Sequence, residues 1–120
     1  MSPHPSEPRY LLTFHPQVAD DLTEIARYGA PVLEVVATVF DDLAHGRLTG
    51  RQLGARRFSG DLTGYARVKF DLPDQRPPRF RLLYRTIDST TRDVLAVGPR
   101  DQHAIYQAAV RRLASQPGTP

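Results

Sequence analysis

Between residues 65 and 98 lie three short runs: Tyr65-Ala66-Arg67-Val68-Lys69-Phe70-Asp71, Arg79-Phe80-Arg81-Leu82-Leu83-Tyr84-Arg85 and Val94-Leu95-Ala96-Val97-Gly98. The first alternates with period two. Tyr65, Arg67, Lys69 and Asp71 face one way and Ala66, Val68 and Phe70 the other, the pattern of a half-buried strand. The second puts Phe80, Leu82 and Tyr84 on one face and Arg79, Arg81, Leu83 and Arg85 on the other, within a strand expected over Arg79 to Asp88. The third is apolar throughout, as a central strand requires. The turn from Pro73 to Pro78 and the hairpin turn Asp88-Ser89-Thr90-Thr91 join them. Links this short predict an antiparallel meander.

Working outward, residues 46–64 hold five glycines and four arginines and read as a long loop, with Leu53 as its core anchor. Before it, Val32, Val35, Val36, Val39, Phe40 and Leu43 form the apolar stripe of a helix that Pro31 starts and Gly46 ends. An earlier helix opens at His15-Pro16, buries Val18, Leu22 and Ile25, and stops at Gly29. About two residues link the two helices, so an antiparallel hairpin is expected. The acidic residues of this hairpin read as a solvated face. Arg9 to Phe14 reads as a first strand. Asp101 to about Ser115 reads as a final helix, with Asp101 near its cap and Ile105, Ala108, Ala109 and Leu113 facing inward. The expectation is a single α+β domain over residues 9–115 in the order β-α-α-β-β-β-α, with helices on one face of the sheet. Residues 1–8 and 116–120 read as flexible tails.

Composition narrows the function. The chain has 120 residues, 40% hydrophobic and 24% charged, which suits one soluble domain rather than a disordered chain. No apolar run is long enough for a transmembrane helix, and residues 1–8 have no signal-peptide character, so the cytoplasm is the expected location. The absence of cysteine excludes disulfides, thiol nucleophiles and Cys-containing metal sites. His4, His15, His45 and His103 are not at metal-ligand spacing, and no phosphate-binding glycine loop or nucleophile elbow is present. No metal and no cofactor are expected.

The cations carry the information. Fifteen of the sixteen basic residues are arginine, and Lys69 is the one lysine. Residues 1–45 carry net −5 and residues 46–120 net +8, which predicts a polyanionic partner for the second part. Arg67 and Lys69 share a strand face, Arg81 and Arg85 share one on the next strand, and Arg100 follows the third strand. Tyr106 lies six residues further, on the first turns of the final helix. In a meander these side chains converge, and arginines beside an aromatic suit a polynucleotide. Each also has a structural reading. Arg67, Lys69 and Arg81 fit a solvated sheet face. Arg85 fits an ion pair with Asp88 or Asp93. Tyr84 and Tyr106 fit the core, and Arg111 and Arg112 complement the helix dipole. His103 fits a surface helix position.

The strand Arg79 to Tyr84, the strand end Val94-Leu95-Ala96-Val97-Gly98-Pro99-Arg100, and Ile105-Tyr106 with Val110-Arg111-Arg112-Leu113 resemble the RelE/ParE superfamily of toxins from type II toxin–antitoxin systems. The likeness covers about residues 9–114. RelE-like members cut mRNA in the ribosomal A site, whereas ParE-like members poison DNA gyrase. The resemblance implies a RelE-like catalytic set of Arg67, Lys69, Arg81, Arg100 and Tyr106. Arg56, Arg57, Arg79 and Arg85 are the further candidates for RNA contact. Against the family pattern, the first of the basic pair is arginine where RelE has lysine, and the turn Asp74-Gln75-Arg76-Pro77-Pro78 is longer than usual.

The implied chemistry is attack of the RNA 2′-hydroxyl on the neighbouring phosphate. Lys69 would act as base if neighbouring arginines depress its pKa, and Arg67 and Arg81 would stabilise the added charge. Arg100 would assist the leaving group, and Tyr106 would hold or stack the nucleotide. The resemblance further implies a cognate antitoxin, the ribosome and mRNA as partners. Two alternatives stay open at this point, a ParE-like gyrase poison and a basic RNA-binding module without chemistry.

Overall fold

The structure, a computed structural model, describes residues 7–56, 60–101 and 104–115. The expected elements are present: strand β1 (Leu11–Phe14), helices α1 (Val18–Ala26) and α2 (Ala30–Ala44), and three later strands that form the meander. Those strands are β5 (Ala66–Phe70), β6 (Phe80–Asp88) and β7 (Thr91–Pro99), and helix α3 (Ala104–Ser115) follows. The segment between α2 and β5 departs from the long-loop expectation. It contains β2 (Arg51–Gln52), β3 (Ala55–Arg56) and β4 (Gly60–Asp61). Strands of two residues are too short to show periodicity, so nothing in the sequence announces them.

The main sheet runs β1-β7-β6-β5-β2, and β3 pairs with β4 in a separate ribbon. β1 lies parallel to β7, with Leu11 opposite Thr91 and Phe14 opposite Val94. The other pairings in both sheets are antiparallel. β7 carries a core on each face, with Val94 and Val97 in one and Leu95 and Ala96 in the other, which accounts for its apolar character.

The helices occupy both faces, not one. α1 and α2 bury Val18, Ile25, Val32, Val36 and Leu43 against Val68, Phe80, Leu82, Tyr84, Val94 and Val97. On the opposite face α3 places Ile105, Tyr106 and Ala109 against Leu83, Leu95 and Ala96, joined by Leu62 and Tyr65. A bulge in β7 makes the second core possible. Leu83 pairs with Ala96 and Tyr84 with Val94, so Leu95 is an extra residue. Leu95 and Ala96 then point to the same side, while Val94 and Val97 point to the other.

Two arginines work inside this scaffold. Arg112 was expected to complement the helix dipole and Asp21 to be solvated; instead they form an ion pair at 2.6 Å, with only 11% and 13% of their side chains exposed. Arg112 also donates to the Leu95 carbonyl at 2.9 Å, and Asp21 accepts the Val97 N–H at 3.0 Å. Both backbone groups lie on β7 beyond the end of β1, where no strand partner reaches them. Arg92, 4% exposed, donates from one nitrogen to the carbonyls of Leu43 and Leu48, and its guanidinium lies 4.1 Å from the centre of the Tyr10 ring. It closes the C-terminal end of α2, beside Gly46, whose φ of 73° suits glycine.

Candidate functional site

β5 and β6 pair in antiparallel register, with Lys69 opposite Arg81 and Arg67 opposite Leu83. Alternation sends Ala66, Val68 and Phe70 into the α1–α2 core. Arg67, Lys69 and Arg81 therefore rise from the other face, the one α3 covers in part. Arg81 lies opposite Gly98 on β7, so no side chain stands between it and the end of that strand. Arg100 follows at once, its backbone N–H bonded to the Arg79 carbonyl at 2.8 Å and its side chain exposed.

The four cations differ in exposure and in partners. Arg81 is 6% exposed, and one guanidinium nitrogen donates to the carbonyls of Phe80 at 2.9 Å and Pro78 at 3.0 Å. Burial lowers its pKa, and the positive charges of Arg67 and Arg100 lower it further. Arg67 is half-buried and donates to the Tyr106 hydroxyl at 3.4 Å, while its Nε is buried without a hydrogen-bond partner. Lys69 is exposed. Its pKa is lowered, first by the charge of Arg67, then by that of Arg81 and by desolvation. Among the described residues, no carboxylate forms an ion pair with Arg67, Lys69, Arg81 or Arg100.

Tyr106 departs from its expected role. The ring is 4% exposed, so it offers no face for a base to stack on. Its hydroxyl instead meets both guanidiniums, accepting from Arg67 and hydrogen-bonding with Arg81. The residue thus couples the position of α3 to that of the two cations.

The remaining candidates are spread out. Arg79 is held by Asp71 through two nitrogens at 2.8 and 2.9 Å and lies over the rings of Tyr28 and Phe80. That pairing takes its guanidinium away from the cluster. Arg85 is exposed and lies over the Tyr65 ring at 5.4 Å, rather than pairing with Asp88 or Asp93. Arg56 is placed by its backbone in β3; Arg57 and His103 lie outside the described residues.

Sequence reasoning missed Arg51. β2 pairs with β5 so that Arg51 stands opposite Arg67, and its charge also lowers the pKa of Lys69. The cation excess after residue 46 was the available signal, but a two-residue strand gives no pattern from which to place it. Gly50, just before, allows this approach. A Cβ there would lie 2.6 Å from the Arg67 carbonyl oxygen and 3.1 Å from the Tyr84 ring.

The arrangement is a cluster of cations with no carboxylate paired to it among the described residues. Mutual repulsion raises the free energy of the clustered cations, and the orphaned Arg67 donor adds the cost of an unmade hydrogen bond. A phosphate placed among them would relieve both. A cluster of this kind, with perturbed pKa values, is a candidate functional site. Among the described residues, no group of three or more His, Asp or Glu side chains is placed to hold a metal, and no helix is long and apolar enough to cross a membrane.

Comparison with known proteins agrees with this architecture. A search of curated protein sequences found no match. The solved structure of the free RelE toxin of E. coli, a variant with two arginines changed to alanine, is similar in fold at a TM-score of 0.54. The alignment has 24% identity and covers 88% of this chain and 98% of that one. The family model of the ParE toxin of type II toxin–antitoxin systems matches residues 12–104, from β1 to the start of α3. The chain belongs to this family of toxins from type II toxin–antitoxin systems.

Proposed function

We propose that this toxin is an endoribonuclease that cuts mRNA on the ribosome, with the RNA's own 2′-hydroxyl as nucleophile. The observation that carries the reading is the cluster of Arg67, Lys69 and Arg81 on one sheet face, with the charge of Arg100 acting on Arg81 from just past β7, no paired carboxylate among the described residues, and the pKa of Lys69 depressed by its neighbours. A lysine in this field yields a neutral amine at lower pH than a free one does, and a neutral amine is a base.

In the proposed reaction Lys69 Nζ takes the proton of the 2′-hydroxyl as that oxygen attacks phosphorus. Arg67 and Arg81 neutralise the extra negative charge on the phosphoryl oxygens. Tyr106 holds these two guanidiniums rather than the nucleotide. The bond to the 5′-oxygen breaks, Arg100 stabilises the departing oxygen, and water supplies its proton. The products are a 2′,3′-cyclic phosphate and a 5′-hydroxyl end. Among the described residues the site offers no histidine or carboxylate base, and the ribosome would align the RNA for it. A cognate antitoxin follows from membership of the family.

The ParE description of the matching family favours a second reading, a toxin that traps DNA gyrase on broken DNA. One pair of reactions separates the two. With programmed ribosomes, the cleavage reading predicts new RNA 5′ ends at A-site codons, lost in Lys69→Ala and Arg100→Ala. Intact transcripts, together with double-strand breaks in a gyrase reaction, would overturn it in favour of the second. Intact transcripts and intact DNA, with salt-sensitive RNA binding, would leave a binding module.

A further inference from the structure

The turn between β5 and β6 has no part in the chemistry proposed above, but it borders Lys69. It is unusually well anchored. The Asp71 side chain is 1% exposed. Its carboxylate accepts the N–H groups of Leu72 at 2.7 Å and Arg79 at 2.8 Å, besides the two guanidinium nitrogens of Arg79. The Gln75 N–H closes the turn onto the Leu72 carbonyl at 3.0 Å.

A cavity of about 330 Å³ opens between this turn and the end of β5, and its walls include Lys69, Asp71, Leu72, Pro73, Gln75, Arg76 and Pro78. Ligand cavities start at roughly 300 Å³, so it has room for one small unit and not for a polymer. Its walls divide by chemistry. Leu72 and the two prolines are apolar and stiff, suited to the flat surface of a base. Gln75 carries both a donor and an acceptor, the pair a base edge requires. Arg76 is exposed at the cavity and is not among the ion-paired residues. The wall holds one carboxylate, Asp71, which Arg79 neutralises. Asp74, exposed on the same turn, is not part of the wall.

We propose that this cavity is a subsite for the nucleotide adjoining the scissile phosphate, with Arg76 on its phosphate and Gln75 on its base edge. The proposal rests on the reading of Lys69 as the catalytic base, because Lys69 lines both places. It makes the long turn a determinant of which codons are cut. RNA threaded past Lys69 delivers its next nucleotide into a preformed, rigid pocket. Arg76 supplies sequence-independent affinity there, and Gln75 supplies choice.

The test compares wild type, Gln75→Ala and Arg76→Ala in two assays. One maps 5′ ends in a translating extract. The other measures binding to ribosomes programmed with 2′-O-methylated mRNA, which cannot be cut. Both positions are exposed, and thermal melting checks the fold of each variant. Gln75→Ala is expected to change the rank order of cut codons. Arg76→Ala is expected to weaken binding about tenfold and to reduce the slope of log affinity against log salt by about one. An unchanged codon order together with unchanged binding and salt slope overturns the subsite while cleavage by wild type still stands. If wild type cuts nothing, the cleavage reading fails, and a subsite defined by the scissile phosphate falls with it, whatever the binding arm reads.

Discussion

Replacing Arg112 by alanine tests the clasp between α1, β7 and α3. The substitution removes two charge-assisted bonds to Asp21, at 2.6 and 2.7 Å, and the bond to the Leu95 carbonyl at 2.9 Å. It leaves the Asp21 carboxylate, 13% exposed, with the Val97 N–H as its remaining partner in this clasp. Breaking a buried pair from one side costs about 3–5 kcal/mol. The residual exposure admits some water, so about 3 kcal/mol is expected. At ~2 cal/mol/K per residue, a chain of 120 residues has an unfolding entropy near 0.25 kcal/mol/K, and the melting temperature falls by about 12 °C. The Asp21→Asn/Arg112→Ala double variant should lose less than the sum of its singles, with a coupling of about 2 kcal/mol. Calorimetry on the four proteins measures this. Because α3 carries Tyr106, hydrogen exchange in Arg112→Ala should rise first along residues 104–115. A fall in melting temperature under 3 °C with additive singles would refute the reasoning. It would mean that the pair behaves as a surface ion pair despite its burial.

Three further outcomes follow from the geometry. The neutral form of Lys69 grows as pH rises through its lowered pKa, so RNA cleavage should climb with pH and level off below the range of a free lysine; Arg67→Gln removes the largest cause and should move the inflection upward, and an unmoved pH–rate inflection refutes the assignment. Gly50→Ala forces a Cβ to within 2.6 Å of the Arg67 carbonyl and should cost about 1–3 kcal/mol in urea denaturation, so a variant as stable as wild type would contradict the close packing of β2 on β5. Asp71 is held at about 2 against an ordinary 3.8, chiefly by its bonds from Arg79. Its folded pKa is depressed, so the contribution is fully present above pH 3.8 and is lost as pH falls toward 2. At about 1.4 kcal/mol per unit it is worth roughly 2 kcal/mol. Asp71→Asn should lose that stability at pH 7 and show a flatter acid limb, and an acid limb as steep as that of wild type would count against it.

Much of the fold was legible in residue order. The alternation in Tyr65 to Asp71 and Arg79 to Arg85 correctly sent Ala66, Val68, Phe70, Phe80, Leu82 and Tyr84 to the α1–α2 core and Tyr65 and Leu83 to the opposite one. Arg79, however, lies over Tyr28 and Phe80 instead of joining the cations of the opposite face. The stripe from Val32 to Leu43 placed α2. The cations of the candidate site were legible for the same reason, since period two puts Arg67 and Lys69 on one face whatever the sheet packs against. Three things were not. Arg51 sits on a strand too short to carry a pattern. Tyr106 has helical spacing that fits either core or surface, and only its 4% exposure decides that it steadies guanidiniums and stacks on nothing. Arg112 looked like a dipole partner because its acceptor, Asp21, is far away along the chain.

The sequence by itself determined the three helices, the four longer strands, the antiparallel meander and the placing of Arg67, Lys69 and Arg81 on one face, because these depend on local periodicity and short links. Tertiary structure alone decided what those cations meet. A single bulged residue, Leu95, turns two successive apolar side chains to the same face and so makes a second core for α3. Docking of α3 brings Tyr106 to Arg67 and Arg81, and Asp21 to Arg112. Electrostatic fields and desolvation depend on distances between residues remote in sequence. The depressed pKa of Lys69 and the orphaned nitrogen of Arg67 therefore exist only once the chain has folded.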